Sequence, residues 1–210
     1  QPTLGGPVYW IRNIAYHLPG GALPLTGGSS GILFYYNTIL GEAAVASGSN
    51  IHFRNNLMLG EQASPALFTI NTLTNYSSSD YNGFRPNEGA EFSFEWSSPQ
   101  RSLRANFPGE PGKLSVQEQT KLEASARERR RFKTLKEFSE ATGQDTHSVL
   151  VDYDVFVKAA APGPDPRTLY KPSDFDFQLR PGSPAIDAGV RLTGINDDFT
   201  GKAPDLGAYE

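Results

Sequence analysis

Ile32-Leu-Phe-Tyr-Tyr-Asn-Thr-Ile-Leu40 carries apolar residues at its second, fourth and eighth places and an asparagine at its sixth. Three other stretches align with it without gaps: Val8–Tyr16 (VYWIRNIAY), Asn50–Met58 (NIHFRNNLM) and Ser77–Arg85 (SSSDYNGFR). The sixth place is then Asn13, Asn37, Asn55 and Asn82, at spacings of 24, 18 and 27 residues. In the first three stretches places two, four and eight are Tyr9, Ile11, Ala15; Leu33, Tyr35, Ile39; and Ile51, Phe53, Leu57. Alternation of period two marks strands with one buried face, and the asparagine falls on the same inward parity. Strands stacked about 4.8 Å apart would let each inward amide donate to the next, satisfying polar groups that are costly to bury alone. The reading is a solenoid of parallel strands, roughly 20–25 residues per coil. Its competitor is four asparagines marking unrelated turns, where Asn is also common.

Composition agrees with one folded domain. The chain has 210 residues, with 21 glycines and 16 prolines, which makes it turn-rich without reaching the range of disorder. A net charge of −4 argues against a chain built to grip nucleic acid. No apolar run is long enough for a transmembrane helix. The absence of cysteine removes disulfides, thiolate metal sites and thiol nucleophiles together. The chain opens on Gln1 with no basic-then-apolar leader, and the expectation is a processed or truncated product, the C-terminal part of something longer.

Beyond Pro86 the pattern changes. Asn87–Gly112 reads as loop; Ser115-Val-Gln-Glu118 opens a helix over KLEASARERRRFK, with Glu123 and Arg127 at i, i+4. Thr134-Leu-Lys-Glu137 is a second capping box, opening a short helix that Gly143 ends. Both helices are expected to lie outside the coil stack. The Arg127–Arg131 cluster, set among glutamates, reads as a solvated helix face. Strand signal returns at Ser148–Val157, followed by a Pro/Gly linker over Ala159–Arg167 and a turn-rich tail. The resulting division is repeats over 1–85, a loop and helical insertion over 86–147, and final strands with a C-terminal tail packing on the repeats over 148–210.

The tail carries a signature. Leu179-Arg-Pro-Gly-Ser-Pro-Ala-Ile-Asp-Ala-Gly189, Asp197-Asp-Phe-Thr-Gly201 and Ala203-Pro-Asp-Leu-Gly-Ala-Tyr-Glu210 resemble the C-terminal closing segment of secreted right-handed parallel β-helix proteins of the pectin-lyase-like kind. Ser79-Asp-Tyr-Asn82 and Ala141–Ser148 are similar to the same group. The resemblance implies a right-handed parallel β-helix in a secreted, cell-surface or periplasmic protein; with the insertion read above, the expected fold is an all-β right-handed parallel β-helix with an α-helical insertion and an irregular C-terminal tail. It is specific for fold and poor for activity, since this fold hosts lyases, hydrolases, epimerases, esterases and inert adhesins. It also implies more coils than are visible here, supplied by a missing N-terminal portion or a partner chain.

The outward places hold the chemistry. Place three gives Trp10, Phe34 and His52; place five gives Arg12, Tyr36 and Arg54, with Tyr81 extending the second column. Arginines and aromatic rings suit an acidic polysaccharide or oligosaccharide, because rings stack on sugar faces and guanidinium forks grip carboxylates. The alternative is that these side chains pack under the insertion. For lyase chemistry His52, flanked by Arg54 and Arg12, is the candidate base or acid, ahead of His17 and of His147, which reads as a structural hydrogen-bonding residue after a helix. For glycoside hydrolysis Asp80 is the only acid within the four aligned stretches; Asp145, Asp152 and Asp154 are the remaining mid-chain candidates, and no pair stands out. No motif specifies a cofactor. Asn196, Asp197, Asp198 and Asp205 offer oxygens of the kind calcium takes, although in the similar proteins such tail acids mostly tie turns to backbone amides. The expectation is a polysaccharide-active protein, a lyase before a glycosidase; its rivals are a noncatalytic carbohydrate-binding or adhesion module and a structural stalk.

Overall fold

The computed structural model describes residues 7–17, 23–40, 44–60, 68–72, 77–87, 89–99, 115, 127–165 and 167–209. The chain is mostly β, built on two largely parallel sheets that it visits in turn. The first holds β1 (Val8–Ile11), β3 (Leu23–Tyr35), β5 (Ala44–Arg54), β7 (Phe68–Thr72), β10 (Phe94–Pro99) and β11 (Arg127–Phe132), in that order. β8 (Ser78–Asp80) pairs with the C-terminal half of β5, whose N-terminal half pairs with β7. The second sheet runs β12 (Val149–Leu150), β9 (Gly83–Arg85), β6 (Leu57–Leu59), β4 (Thr38–Leu40) and β2 (Ile14–Tyr16), parallel throughout. β13 (Phe156–Lys158) and β14 (Asp176–Leu179) form a separate antiparallel pair.

Among the described residues, four two-residue corners carry the chain from the first sheet to the second: Arg12-Asn13, Tyr36-Asn37, Asn55-Asn56 and Tyr81-Asn82. The first residue of each is left-handed, with φ between 55° and 57°. That conformation costs an ordinary side chain about 1 kcal/mol or more, so its fourfold recurrence shows that packing imposes the corner.

These corners correct the repeat alignment. β3 pairs with β5 as Ile32↔Ile51 and Phe34↔Phe53, and β5 pairs with β8 as His52↔Ser78 and Arg54↔Asp80. The third repeat is therefore Ile51–Leu59, one residue later than the sequence reading, and its sixth place is Asn56 rather than Asn55. The inward parity before the corner changes as well. A left-handed residue at place five interrupts the alternation, so places one and three face inward with six and eight. Ile32, Phe34, Ile51 and Phe53 are buried accordingly.

The main core lies between these inward residues and Ile39, Met58 and Phe84 of the second sheet, and continues into Phe94, Trp96, Leu135 and Phe138. The opposite face of the second sheet, through Leu40, Leu57 and Leu59, packs on Val155, Phe156, Ala185 and Leu206 of the C-terminal region. A sheet covered on both faces reads as continuous apolar sequence, not as alternation.

The 86–147 region differs from expectation. β10 lies within the expected loop, in register with β7 (Phe94↔Phe68). Arg127–Phe132 is a strand antiparallel to β10, not a helix. Arg131 Nε donates to Glu95 at 2.7 Å and Arg129 Nε lies 3.7 Å from the same carboxylate. These cross-strand ion pairs and the sheet edge override the local helix propensity. The helix start at 116–126 lies outside the described residues. The second helix forms as read: α1 (Leu135–Thr142) has Thr134 accepting from Glu137 N–H, Glu137 reaching back to Thr134 N–H, and left-handed Gly143 closing it. It lies against the core, however, not outside the stack, with Phe138 fully buried and stacked on Phe94 at 5.2 Å. Ser148–Val157 is likewise no continuous strand, because Tyr153–Val155 forms a 3-10 turn capped by Asp152.

Candidate functional site

The corner asparagines form a ladder. Asn13 Nδ2 donates to Asn37 Oδ1 at 2.9 Å, Asn37 Nδ2 to Asn56 Oδ1 at 3.1 Å and Asn56 Nδ2 to Asn82 Oδ1 at 2.9 Å. Each Oδ1 also takes the backbone N–H of the preceding rung, at 2.9–3.0 Å. The last amide, Asn82 Nδ2, donates to Asp145 Oδ1 at 2.9 Å, and Asn82 N–H donates to Ser148 Oγ. The ladder thus ends on a carboxyl. Asp145 is buried, left-handed at φ 49°, and its Oδ2 has no hydrogen-bond partner. Burial pushes its pKa up, against hydrogen bonds from Ser148 and Asn82 that hold it down.

Because the ladder fixes the corners, it fixes which side chains point out. Place two runs Tyr9, Leu33, His52, Ser78; place four runs Ile11, Tyr35, Arg54, Asp80. Both columns turn from apolar to polar at β5. His52 Nδ1 lies 2.7 Å from Ser78 Oγ and its Nε2 lies 2.8 Å from Asn50 Oδ1. Arg54 Nη2 donates to Ser78 Oγ at 2.9 Å and Nη1 to the Phe53 carbonyl at 2.7 Å. Burial, then the Arg54 charge, lowers the His52 pKa, so the ring is neutral at neutral pH.

One strand further, Asp80 takes three donors: Tyr81 N–H at 3.0 Å, His147 N–H at 2.8 Å and His147 Nδ1 at 2.7 Å. A carboxylate accepts, so Nδ1 carries a proton and donates it, which leaves Nε2 as the ring nitrogen facing away from Asp80. The exposed His147 ring stacks on Tyr81 at 4.7 Å and 8°. The result is a polar row in two hydrogen-bonded groups, Asn50–His52–Ser78–Arg54 and Asp80–His147, set side by side by the register of Arg54 with Asp80.

Of the residues singled out in the sequence, His52, Arg54, Asp80 and Tyr81 come together in this row. Trp10 and Phe34 do not, because place three faces inward; they pack on one another at 6.2 Å and Phe34 is fully buried. Tyr36 is 2% exposed at its corner, its hydroxyl donating to the Val190 carbonyl of the tail. Arg12 stands at the exposed first corner, its guanidinium 5.9 Å from the Tyr36 ring centroid. The residues that sequence reasoning set aside are Ser78 and His147. Their signal was the pairing itself: Ser148 follows Asn82 in register through Val149↔Gly83, which brings the preceding histidine over Asp80.

Of the remaining carboxylates singled out in the sequence, Asp154 and Asp198 are exposed and the others are engaged elsewhere. Asp152 pairs with Arg85 at 2.7 Å, and Asp145 is sealed in the core. In the tail, Asp187 Oδ1 accepts from Lys202 and Ala203 N–H, Asp205 Oδ1 from Asp187 N–H, and Asp197 binds Arg191 Nε and Gly194 N–H. Asn196 Oδ1 accepts from Leu192 N–H. Among the described residues no three His, Asp or Glu side chains converge as metal ligands, and no helix is long and apolar enough to cross a membrane. No protein-family model, curated protein or solved structure matches the chain.

Proposed function

We propose that the chain is a right-handed parallel β-helix whose outward row binds an acidic glycan and cleaves it by elimination. The fold reading is supported by strands that alternate between parallel sheets through ladder-stitched corners, since parallel crossovers are right-handed in about 98% of cases. The observation that carries the function is Arg54 in register with Asp80, which holds His147 at 2.7 Å. A lyase needs a cation to neutralise the uronate carboxylate and a base to take the proton beside it. Arg54 supplies the cation, and His147 Nε2 the base. Asp80 fixes the tautomer and stabilises the imidazolium that forms. His52 is less suited to this role, because both its ring nitrogens are engaged. Hydrolysis would require a second carboxylate about 5–9.5 Å from Asp80 and open to the sugar, whereas the nearby Asp145 is buried.

The test is calorimetric titration with a uronate oligomer and a neutral oligomer at two salt concentrations, with absorbance of unsaturated uronate followed in parallel. Arg54→Ala should weaken the uronate oligomer about 10- to 150-fold, the equivalent of roughly 1.5–3 kcal/mol, and leave the neutral one unchanged. His147→Ala should abolish the absorbance while sparing affinity. Uronate binding by wild type without unsaturated product would assign a noncatalytic carbohydrate-binding module. Equal, salt-insensitive affinities in wild type and Arg54→Ala would overturn both readings.

A further inference from the structure

We propose that Ser78, His52 and Asn50 form an acyl-transfer centre on the same sheet face, with Ser78 as nucleophile toward short acyl esters. The three lie in one line of hydrogen bonds: Ser78 Oγ to His52 Nδ1 at 2.7 Å and His52 Nε2 to Asn50 Oδ1 at 2.8 Å. The direction of that line follows from its end. An amide oxygen only accepts, so Nε2 carries the ring proton, Nδ1 is bare, and the Ser78 hydroxyl donates to it. A nucleophile hydrogen-bonded to a base that a third group orients is the arrangement acyl transfer requires. Two features of the fold hold it. His52 and Ser78 are cross-strand partners in β5 and β8, and Asn50 reaches His52 from a left-handed position two residues before it. The His52 ring is kept neutral by burial and by Arg54, as a base must be.

Arg54 completes the centre. Its Nη2 is 2.9 Å from Ser78 Oγ, beside the place where a carbonyl oxygen would gain charge once Oγ attacks its carbon. In the first step the Oγ–C bond forms, the carbonyl π pair moves to oxygen, and the Ser78 proton passes to His52 Nδ1. The tetrahedral species then collapses, the C–O bond to the alcohol breaks, and that oxygen takes the proton from Nδ1. Water attacks the acyl-Ser78 ester in turn, giving its proton to His52 and then back to Oγ. The balance is ester plus water to carboxylic acid plus alcohol, with no further reactant. Ser78, His52 and Arg54 are partly exposed among the described residues, and Leu33 lies in register with His52, which suits a short acyl group.

This activity does not depend on the glycan reading, and its probes carry no uronate. The protein is treated with a fluorophosphonate, digested and mapped by mass spectrometry, and hydrolysis of p-nitrophenyl acetate is followed in wild type, Ser78→Ala, His52→Ala and Asn50→Ala. Far-ultraviolet circular dichroism and urea midpoints establish that each variant is folded. The expected result is labelling at Ser78, abolished in Ser78→Ala, with hydrolysis falling about 100-fold or more in Ser78→Ala and His52→Ala and less in Asn50→Ala. No label on folded wild type, label on another residue, or hydrolysis undiminished in folded Ser78→Ala would each overturn the proposal.

Discussion

Inside the corners, successive strands repeat one side chain: Asn13, Asn37, Asn56 and Asn82, each giving its amide to the next. Outside, the same strands repeat nothing, running Tyr9, Leu33, His52, Ser78 in one column and Ile11, Tyr35, Arg54, Asp80 in the other. At Asn37, Asn56 and Asn82 the inward position poses the same problem, a buried backbone N–H and a buried amide to satisfy, so one residue answers it each time, and Asn13 extends the series to the exposed first corner. The outward position faces water and poses no such problem. A run of histidine, serine, arginine and aspartate there is therefore a local arrangement, which is why the polar row, and not the ladder, is read as functional.

The sharpest way to break this contrast is to remove one residue from each side. Asn56 is fully buried; its Nδ2 donates to the Phe34 carbonyl and to Asn82 Oδ1, and its Oδ1 accepts from both the backbone N–H and the Nδ2 of Asn37. Asn56→Ala strands several of these groups, each costing about 1–3 kcal/mol, so the expected loss is about 3–5 kcal/mol in urea unfolding. Arg54→Ala, on the outward face, should cost about 1 kcal/mol or less. Equal losses would show that the outward row is also structural.

The ladder's last rung offers a smaller test with a definite pH signature. Asp145 has a raised pKa through burial, so between the unfolded and folded values the folded state holds a proton that the unfolded chain lacks. Stability then falls as pH rises through that window. Asp145→Asn keeps an oxygen for Asn82 and Ser148, and asparagine tolerates the left-handed backbone. The variant should be more stable than wild type at pH 7 to 8. Its advantage should shrink as pH falls and vanish below about 4, where the unfolded carboxyl is protonated too. A pH-independent difference in urea midpoint would sink this account.

What the sequence disclosed follows the same division. The recurrent asparagine was visible because repetition is a sequence property, and so was α1, whose cap residues are local. The register of the third repeat was not. Asn55 and Asn56 stand side by side, and only pairing chooses between them: Asn56 joins the ladder while Asn55 turns outward and holds Val190 of the tail through both side-chain atoms. The parity before the corner was also hidden, because nothing local announces that Arg12 or Tyr36 is left-handed. These two errors cancelled at His52 and Arg54, which were read as outward and are, but not at Trp10 and Phe34. The partnership of Asp80 with His147, 67 residues apart, required the fold itself.

The smallest expected effect concerns the end of the inward face, where α1 covers the core. Phe138 reaches the core between Phe94 and Phe132, while the exposed side of the helix carries Lys136, Glu137 and Glu140. Eight residues are too few to hold a helix by propensity alone, so α1 rests on Phe138, Leu135 and its caps. Thr134→Ala removes the acceptor for Glu137 N–H but leaves the packed rings untouched. It should lower stability by about 1 kcal/mol, within the usual 0.5–2 kcal/mol for a lost N-cap. Lys136→Ala, which removes an exposed partner 3.8 Å from Glu140, should change it by no more than about 0.5 kcal/mol. If α1 belongs to the core, the Thr134→Ala loss appears in global urea unfolding and not only in local exchange of the 135–142 amides. Faster exchange of those amides with an unchanged urea midpoint would make α1 an appendage, and would end the inward face at Phe94.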